Sequence, residues 1–218
     1  MKKETLFVAF STQKGGVGKT TFTVLVASYL YYLKGYNVAV VDCDYPQHSI
    51  SAMRKRDGEQ VNNDTNYKVL AFNQFKALGK KAYPVLCSTP EAAISTAEEF
   101  LKTEPMEMDV VFFDLPGTVN NLLVQNEAYR IQGLHLFWNQ VDGREKTDLY
   151  RIYENTIGEL KLPLMKTFIP DTKRYKKELS GDKTSVFRST LFPADKRMIK
   201  GSNLEELVAE IGYIIKLY

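Results

Sequence analysis

A glycine-rich segment, Lys14-Gly15-Gly16-Val17-Gly18-Lys19-Thr20-Thr21, constrains the fold of this chain more than any other part of the sequence. It follows a short apolar run and leads directly into a stretch with apolar residues at helical spacing. Glycines allow a tight turn that aims backbone N–H groups at one point, and a helix N-terminus adds partial positive charge. The segment predicts a strand, a phosphate-binding turn and a helix; the alternative is a glycine-rich turn that binds no ligand.

Two side chains in this segment match the chemistry of a polyphosphate bound with a metal ion. Lys19 is expected to bridge the β- and γ-phosphates, and the Thr20 hydroxyl is expected to reach Mg²⁺. ATP and Mg²⁺ are therefore the predicted ligands. The predicted nucleotide contacts in this segment are Lys14, Gly15, Gly16, Val17, Gly18, Lys19, Thr20 and Thr21.

Short apolar runs alternate with helical patterns along the chain, and these runs are the candidate strands. Their continuous apolar character is typical of strands that are covered on both faces, as in a parallel sheet with helices on each side. The candidate strands are Leu6 to Phe10, Val38 to Val41, Val69 to Phe72, Val85 to Cys87, Val110 to Phe113, Leu134 to Trp138 and Leu164 to Ile169.

Helical spacing between these runs completes the predicted architecture. Besides the helix after the glycine-rich segment, we expect helices over Glu91 to Lys102, Asn121 to Ile131, Lys146 to Leu160 and Leu204 to Leu217. The polar stretch Arg54 to Asn66 is predicted to be a long surface loop. The fold prediction is one α/β domain over residues 1–218, with a doubly wound, mostly parallel sheet and helices on both faces.

The segment from Gln13 to Thr21 resembles the deviant Walker A motif of the ParA/MinD (Soj-like) ATPases. In that family a second lysine precedes the glycine pair, and Lys14 stands at this position. The resemblance implies a P-loop NTPase that forms a sandwich dimer, in which Lys14 of each protomer reaches the ATP of the other. Lys14 and Lys19 would then both be catalytic. The alternative for Lys14 is an exposed surface lysine.

Two acidic residues, Asp42 and Asp44, follow the second apolar run. The segment resembles switch I of the same family, usually Asp-x-Asp-Pro-Gln, with Tyr45 inserted before Pro46. The resemblance implies that Asp44 is catalytic and orients the attacking water, and that Asp42 supports the magnesium shell or the surroundings of Lys19. The alternative is that the two acids cap a helix or form a turn.

Asp114 and Gly117 follow the run Val110 to Phe113, which resembles a Walker B strand that leads into switch II. Asp114 would hold Mg²⁺ through a bound water, since magnesium keeps several waters and takes one or two carboxylates. The Gly117 N–H would approach the γ-phosphate. Pro170 and Asp171 resemble the loop that contacts adenine in this family.

Basic residues are concentrated near the C-terminal end. The formal net charge is +3, but residues 171–200 contain nine Lys or Arg and four acids, a local balance of +5. Such a stretch is expected to contact DNA phosphates without base reading; the alternative is a solvated surface. The predicted DNA-binding residues are Lys173, Arg174, Lys176, Lys177, Arg188, Lys196, Arg197 and Lys200.

Most of the chain resembles the short partition ATPases without a helix-turn-helix domain that occur on plasmids and conjugative transposons. The resemblance implies a slow ATPase that dimerises on Mg-ATP, associates non-specifically with duplex DNA and partitions or positions DNA. It also implies a ParB-like stimulating partner and a cytoplasmic, nucleoid-associated protein.

Three other classes share this phosphate loop. A membrane-associated MinD-like protein needs a lipid-binding helix, but Glu205, Glu206 and Glu210 on the last predicted helix oppose binding to anionic lipid, so no membrane partner is expected. Metallocluster carriers need paired cysteines, a spacing that Cys43 and Cys87 do not supply. A small-molecule kinase or ligase remains an alternative.

Overall fold

The computed structural model describes residues 4–12, 16–117, 131–145, 147–178 and 186–217. Within these residues four strands form one sheet in the order β1-β4-β2-β3, and every neighbouring pair is parallel. The strands are β1 (Leu6–Ala9), β2 (Val38–Asp42), β3 (Val85–Cys87) and β4 (Val110–Asp114). Four of the candidate strands are therefore confirmed.

Helices connect the strands and follow the sheet along the chain. Their bounds are α1 (Lys19–Tyr32), α2 (Ser49–Asn63), α3 (Thr65–Leu78), α4 (Ala93–Thr103), α5 (Thr147–Glu159), a 3₁₀ helix (Lys173–Lys176), α6 (Lys196–Ile199) and α7 (Leu204–Ile214). The helices predicted at Glu91, Lys146 and Leu204 are present within a few residues. The helix predicted over Asn121 to Ile131 lies almost wholly outside the described residues.

Alternate residues of the two central strands pack against different helices. Val40 and Phe112 belong to a core cluster with α1 and α7, whereas Val41 and Phe113 belong to a second cluster with α4. Because successive strand residues point to opposite faces, the sheet is covered on both sides. The predicted α/β class, with a parallel sheet between helices, is confirmed.

Helix α1 is the most buried helix of the fold. Every residue from Thr21 to Tyr32 is buried, although the sequence pattern predicted a helix with one apolar face. A helix that is buried on all sides lies inside the packed layers and not on the surface. The glycine-rich segment is therefore attached to a rigid part of the protein.

Two predictions between β2 and β3 are wrong. The polar stretch Arg54 to Asn66 is not a loop: it contains the rest of α2, Asp64 and the first residues of α3, and the buried residues of α2, Ile50, Met53 and Asp57, stand at helical spacing. The apolar run Val69 to Phe72 is not a strand: it lies within α3. The Asp64 side chain accepts hydrogen bonds from the first backbone N–H groups of that helix and starts it there.

The two remaining candidate strands pair only at single positions. Leu136 bridges Leu164, and Val141 bridges Pro170, both in the parallel sense. The segments therefore run side by side without forming a regular ladder, and they bring residue 170 close to residue 141.

Strands β2 and β4 end at the same level of the sheet, since Asp42 and Asp114 are register partners. The carboxyl ends of the central strands, which carry the predicted acidic residues, therefore form one edge of the sheet.

No helix in the described part of the chain has the length and apolar character needed to cross a bilayer.

Candidate functional site

The glycine loop ends at the N-terminus of α1. Gly16 and Gly18 have φ angles of 74° and 98°, in the left-handed region that disfavours residues with a Cβ atom. Gly18 occupies the N-cap position, and no side chain caps the helix there. The first N–H groups of α1 are therefore suited to an anionic ligand. Residues 13–15, which include the predicted contacts Lys14 and Gly15, lie outside the described residues.

Asn139 holds the loop from the other side. Its side-chain amide donates a hydrogen bond of 2.7 Å to the Val17 carbonyl oxygen. The sequence analysis did not identify this residue. Its only sequence signal is its place directly after the apolar run that ends at Trp138, where a parallel strand would present a polar side chain at the ligand edge.

Thr20 and Asp114 are brought together from positions far apart in the sequence. The Thr20 hydroxyl donates a 2.8 Å hydrogen bond to Asp114 Oδ2, while the buried Oδ1 has no hydrogen-bond partner in the described part of the chain. The pKa of Asp114 is raised to about 7, chiefly by burial and also by the charges of Asp42 and Asp44, whereas the Thr20 hydrogen bond and the charge of Lys19 oppose the shift. A buried carboxylate oxygen without a partner indicates a missing ligand.

These two side chains fit a magnesium ion. Magnesium prefers oxygen ligands, retains several waters and is often held by one or two carboxylates together with substrate phosphates. The described residues contain no group of three or more His, Cys, Asp or Glu side chains that would form an all-protein cage. Thr20 and Asp114 therefore suit a metal that arrives with a polyphosphate.

Asp42 is bonded to the backbone at the start of α2. It is fully buried; its Oδ2 accepts a 2.9 Å hydrogen bond from the Ser51 backbone N–H, and its Oδ1 a 3.4 Å bond from that of Asp44. Burial raises the pKa of Asp42, and these backbone hydrogen bonds oppose the shift. These contacts agree with the capping alternative, and support of the magnesium shell or of the surroundings of Lys19 by Asp42 stays a prediction.

Asp44 lies half-buried just beyond the end of β2. Its Oδ2 accepts a 2.9 Å hydrogen bond from the Ser49 hydroxyl, and its charge is felt by Asp114. Tyr45, the inserted residue, is 63% exposed and packs edge-to-face on His48. The insertion is therefore accommodated toward solvent, and Asp44 stays at the sheet edge beside the other carboxylates.

A cleft next to the glycine loop joins it to the predicted adenine loop. Its residues come from the loop, from α1, from residues 139–140 and 169–176, and from Arg188. Asp171 is held by a hydrogen bond from its backbone N–H to the Val141 carbonyl. The lining includes Gly16, Val17, Gly18, Thr21, Asn139, Pro170, Asp171, Tyr175, Lys176 and Arg188. Gly117 lies partly buried in the turn after β4 and is not among them.

The predicted DNA-binding residues separate into two groups. Arg174 donates hydrogen bonds to the carbonyl oxygens of Met198 and Lys200, and so ties the 3₁₀ helix to α6. Six exposed cations surround this junction, which we name the basic surface: Lys173, Lys176, Lys177, Lys196, Arg197 and Lys200.

Arg188 does not belong to the basic surface. Its side chain is only 18% exposed, pairs with Glu178 and donates a 2.5 Å hydrogen bond to Thr21 Oγ1. The prediction that Arg188 contacts DNA is therefore not supported by its position, because the guanidinium is engaged beside the glycine loop.

Replacement of Asp114 with Asn is expected to stabilise the nucleotide-free protein. Because the folded-state pKa of Asp114 is raised from 3.8 to about 7, the folded form holds a proton that the unfolded form has lost, so stability falls as pH rises through this window. The variant should gain about 1–2 kcal/mol at pH 7.5, or roughly 2–8 °C in Tm, and nothing near pH 4.

Thermal unfolding at both pH values, without nucleotide, measures this gain. Asp148→Asn is the matched control, because the Asp148 side chain is 78% exposed on α5 and its replacement should leave Tm unchanged. A lower Tm for Asp114→Asn than for wild type at pH 7.5 contradicts the assignment of an uncompensated buried charge.

Comparison with known families agrees with this geometry. The CbiA family, described as the CobQ/CobB/MinD/ParA nucleotide binding domain, matches residues 8–185, whereas no curated protein matches the chain. The matched range contains the glycine loop, the carboxylates at the ends of β2 and β4, and the Pro170 loop. It covers most of the sequence. The chain therefore belongs to the CobQ/CobB/MinD/ParA family of P-loop nucleotide-binding domains.

Proposed function

We propose that the protein is an ATP hydrolase that binds Mg-ATP at the glycine loop and uses hydrolysis as a conformational switch. The observation that carries this proposal is the Thr20–Asp114 hydrogen bond beside the uncapped start of α1, with Asp114 Oδ1 left without a partner among the described residues. A polyphosphate at the helix N-terminus would bring the ion that these two oxygens suit.

Each residue of the site has a distinct task in this proposal. Lys19 neutralises charge on the β- and γ-phosphates. The Thr20 hydroxyl and Asp114 would hold a magnesium ion, which would supply further positive charge to the phosphates. Asp44, at the sheet edge, orients the attacking water. Catalysis of this kind consists mainly of positioning and charge stabilisation, so a slow rate that depends on loop positions is expected.

Dimerisation on ATP is the second part of the proposal. Lys14 precedes the glycine pair, where the related ATPases carry a lysine that reaches into the partner protomer. The γ-phosphate adds negative charge that an inward-pointing lysine from the other protomer neutralises. ATP therefore stabilises the dimer more than ADP does. Only ATP has the γ-phosphate that the lysine of the other protomer contacts, so only ATP binds more tightly to the dimer than to the monomer.

Association with DNA is the third part. The basic surface exposes six cations around the Arg174 junction, a density that favours phosphate contacts without base reading. We propose that the ATP-bound dimer associates with duplex DNA and positions or partitions a plasmid or another mobile element. A ParB-like partner protein would stimulate hydrolysis, and the protein would reside on the nucleoid in the cytoplasm.

ATP hydrolysis measured with and without duplex DNA, at low and at high salt, tests this function. We expect slow turnover that DNA raises at low salt and does not raise at high salt, because phosphate contacts weaken as counterions compete. Hydrolysis that is indifferent to DNA but depends on a small molecule would overturn the partition role and favour a kinase or ligase of the same superfamily.

Charge reversal at Lys173 and Lys177 is expected to weaken DNA binding. Both are exposed on the basic surface, and the loss of two phosphate contacts should reduce the slope of log K against log salt by about 2. Affinity at moderate salt should fall roughly 10-fold or more. Fluorescence anisotropy with labelled duplex DNA in the presence of ATP measures both quantities.

The matched control reverses two lysines elsewhere. Lys68 and Lys76 are exposed on α3, and their replacement by Glu gives the same change in net charge. This control should retain most of the affinity and the full salt slope. Equal losses in the two double variants would mean that overall charge, and not the basic surface, governs the association.

A further inference from the structure

Arg188 stands out because it lines the cleft beside the glycine loop and contacts the first turn of α1. It lines the cleft together with Gly16, Val17 and Pro170, and its guanidinium donates to Thr21 Oγ1. Terminal phosphates belong at the glycine loop and Lys19, and Thr21 lies two residues further along α1, so a group that contacts Thr21 is expected at an inner phosphate of a bound nucleotide. We propose that Arg188 is a nucleotide-binding residue that contacts the phosphate nearest the sugar.

The guanidinium is held in position before any ligand arrives. Glu178 accepts hydrogen bonds from both Arg188 and Arg56, and the Arg188 side chain is only 18% exposed. Arg56 is itself tied to Asp57, whose other oxygen accepts from Thr190. This chain of charged groups fixes the planar fork of Arg188, which lowers the entropic cost of a contact with a phosphate.

Arg188 also has hydrogen-bonding capacity that the described residues do not use. Its Nη1 donates to Thr21 Oγ1 and its Nη2 to Glu178, but its buried Nε has no hydrogen-bond partner in the described part of the chain. An arginine has five N–H groups, and each Nη of Arg188 carries a second N–H besides the one used here. A phosphate oxygen beside Thr21 would accept from these Nη groups.

Charge in the cleft favours an anion at this position. Glu178 divides its single negative charge between Arg56 and Arg188, so it does not neutralise Arg188 fully. Lys176 lines the same cleft and adds a second cation, so that the two cations outnumber the one acid among the described lining residues, Asp171. Arginine suits phosphate better than lysine does, because its fork donates two parallel hydrogen bonds.

This inference rests on the proposed function, since it requires a nucleotide in the cleft. Isothermal titration of ATP, ADP and AMP into wild type and Arg188→Gln tests it. We expect Kd to rise roughly 10- to 100-fold for ATP and ADP by the same factor, and AMP binding to weaken as well, because all three share this phosphate. Arg188→Lys keeps the charge and should give an intermediate Kd.

A matched variant separates ligand contact from structural support. Arg56→Gln removes the other partner of Glu178 but changes no residue of the cleft lining, so it should weaken nucleotide binding only indirectly and raise Kd far less than Arg188→Gln does. Equal weakening in Arg56→Gln and Arg188→Gln would overturn the assignment, as would a loss confined to ATP.

Different results would contradict the proposed function and the role of Arg188. Wild-type protein that binds neither ATP nor ADP overturns the proposed function and the role of Arg188 with it. Wild-type binding together with unchanged Kd values in Arg188→Gln and Arg188→Lys overturns the role of Arg188 alone.

Discussion

Replacement of Lys19 with Ala is expected to abolish measurable ATP binding and hydrolysis. Lys19 opens α1 next to Gly18 and close enough to Asp114 to influence its pKa, so its ammonium group lies where a polyphosphate and its metal would meet. Loss of a charge-assisted contact of this kind should raise the Kd for ATP by more than about 100-fold. Isothermal titration and a phosphate-release assay measure the two effects.

Lys34→Ala is the control for this prediction. Lys34 is exposed just beyond the other end of the same helix, so its removal changes the net charge equally without altering the loop. This variant should bind ATP as wild type does. If Lys19→Ala retains ATP affinity within about 3-fold, the glycine loop is not the phosphate site.

Replacement of Lys14 with Ala is expected to leave nucleotide binding by the monomer largely intact and to remove ATP-induced dimers. In the proposed dimer this lysine acts across the interface, so the protomer that carries it does not need it to bind its own ATP. Size-exclusion chromatography with light scattering, in ATP and in ADP, should show a dimer only for wild type in ATP.

The Lys19 variant completes this comparison. Lys19→Ala should fail to dimerise because it does not bind ATP, whereas Lys14→Ala should fail although it binds ATP. Normal ATP-dependent dimers of Lys14→Ala would contradict the proposed role of the second lysine. They would leave the assignment of the glycine loop intact.

The sequence was sufficient to predict the parts of the site that depend on local patterns. An apolar strand, a glycine turn and a helix follow one another without interruption, so β1 and α1 are specified by adjacent residues. Asp114 follows four apolar residues, and parallel strands end at one edge of the sheet. Its contact with Thr20, which follows the neighbouring strand β1, could therefore be anticipated.

Predictions failed where the outcome depends on contacts between distant segments. The apolar run Val69 to Phe72 suits a strand or a helix equally, and the capping by Asp64 together with packing on α2 decides for a helix. Arg188 belongs to a basic stretch in sequence, but its pairing with Glu178 turns it toward the glycine loop. Charge counts along a sequence contain no information about such pairings.

The hydrogen bonds of Asp42 also depend on contacts that the sequence pattern does not reveal. A carboxylate at the end of a strand is consistent with metal binding or with helix capping, and the sequence analysis left both open. In the structure α2 begins seven residues later, so the Ser51 N–H comes within hydrogen-bond distance of the buried carboxylate, a contact that the sequence pattern alone does not reveal.

The shared level of Asp42 and Asp114 in the sheet has a mechanical consequence. Two peptide segments leave adjacent, fully buried strands from the same rung, one toward Tyr45 and one toward Gly117. Because the strands are packed in the core, the segments that follow them are the parts able to move. The points at which the two segments are attached to the strands lie side by side. If hydrolysis acts as the proposed switch, departure of a terminal phosphate would release both segments together, which predicts one coupled motion and not two independent ones.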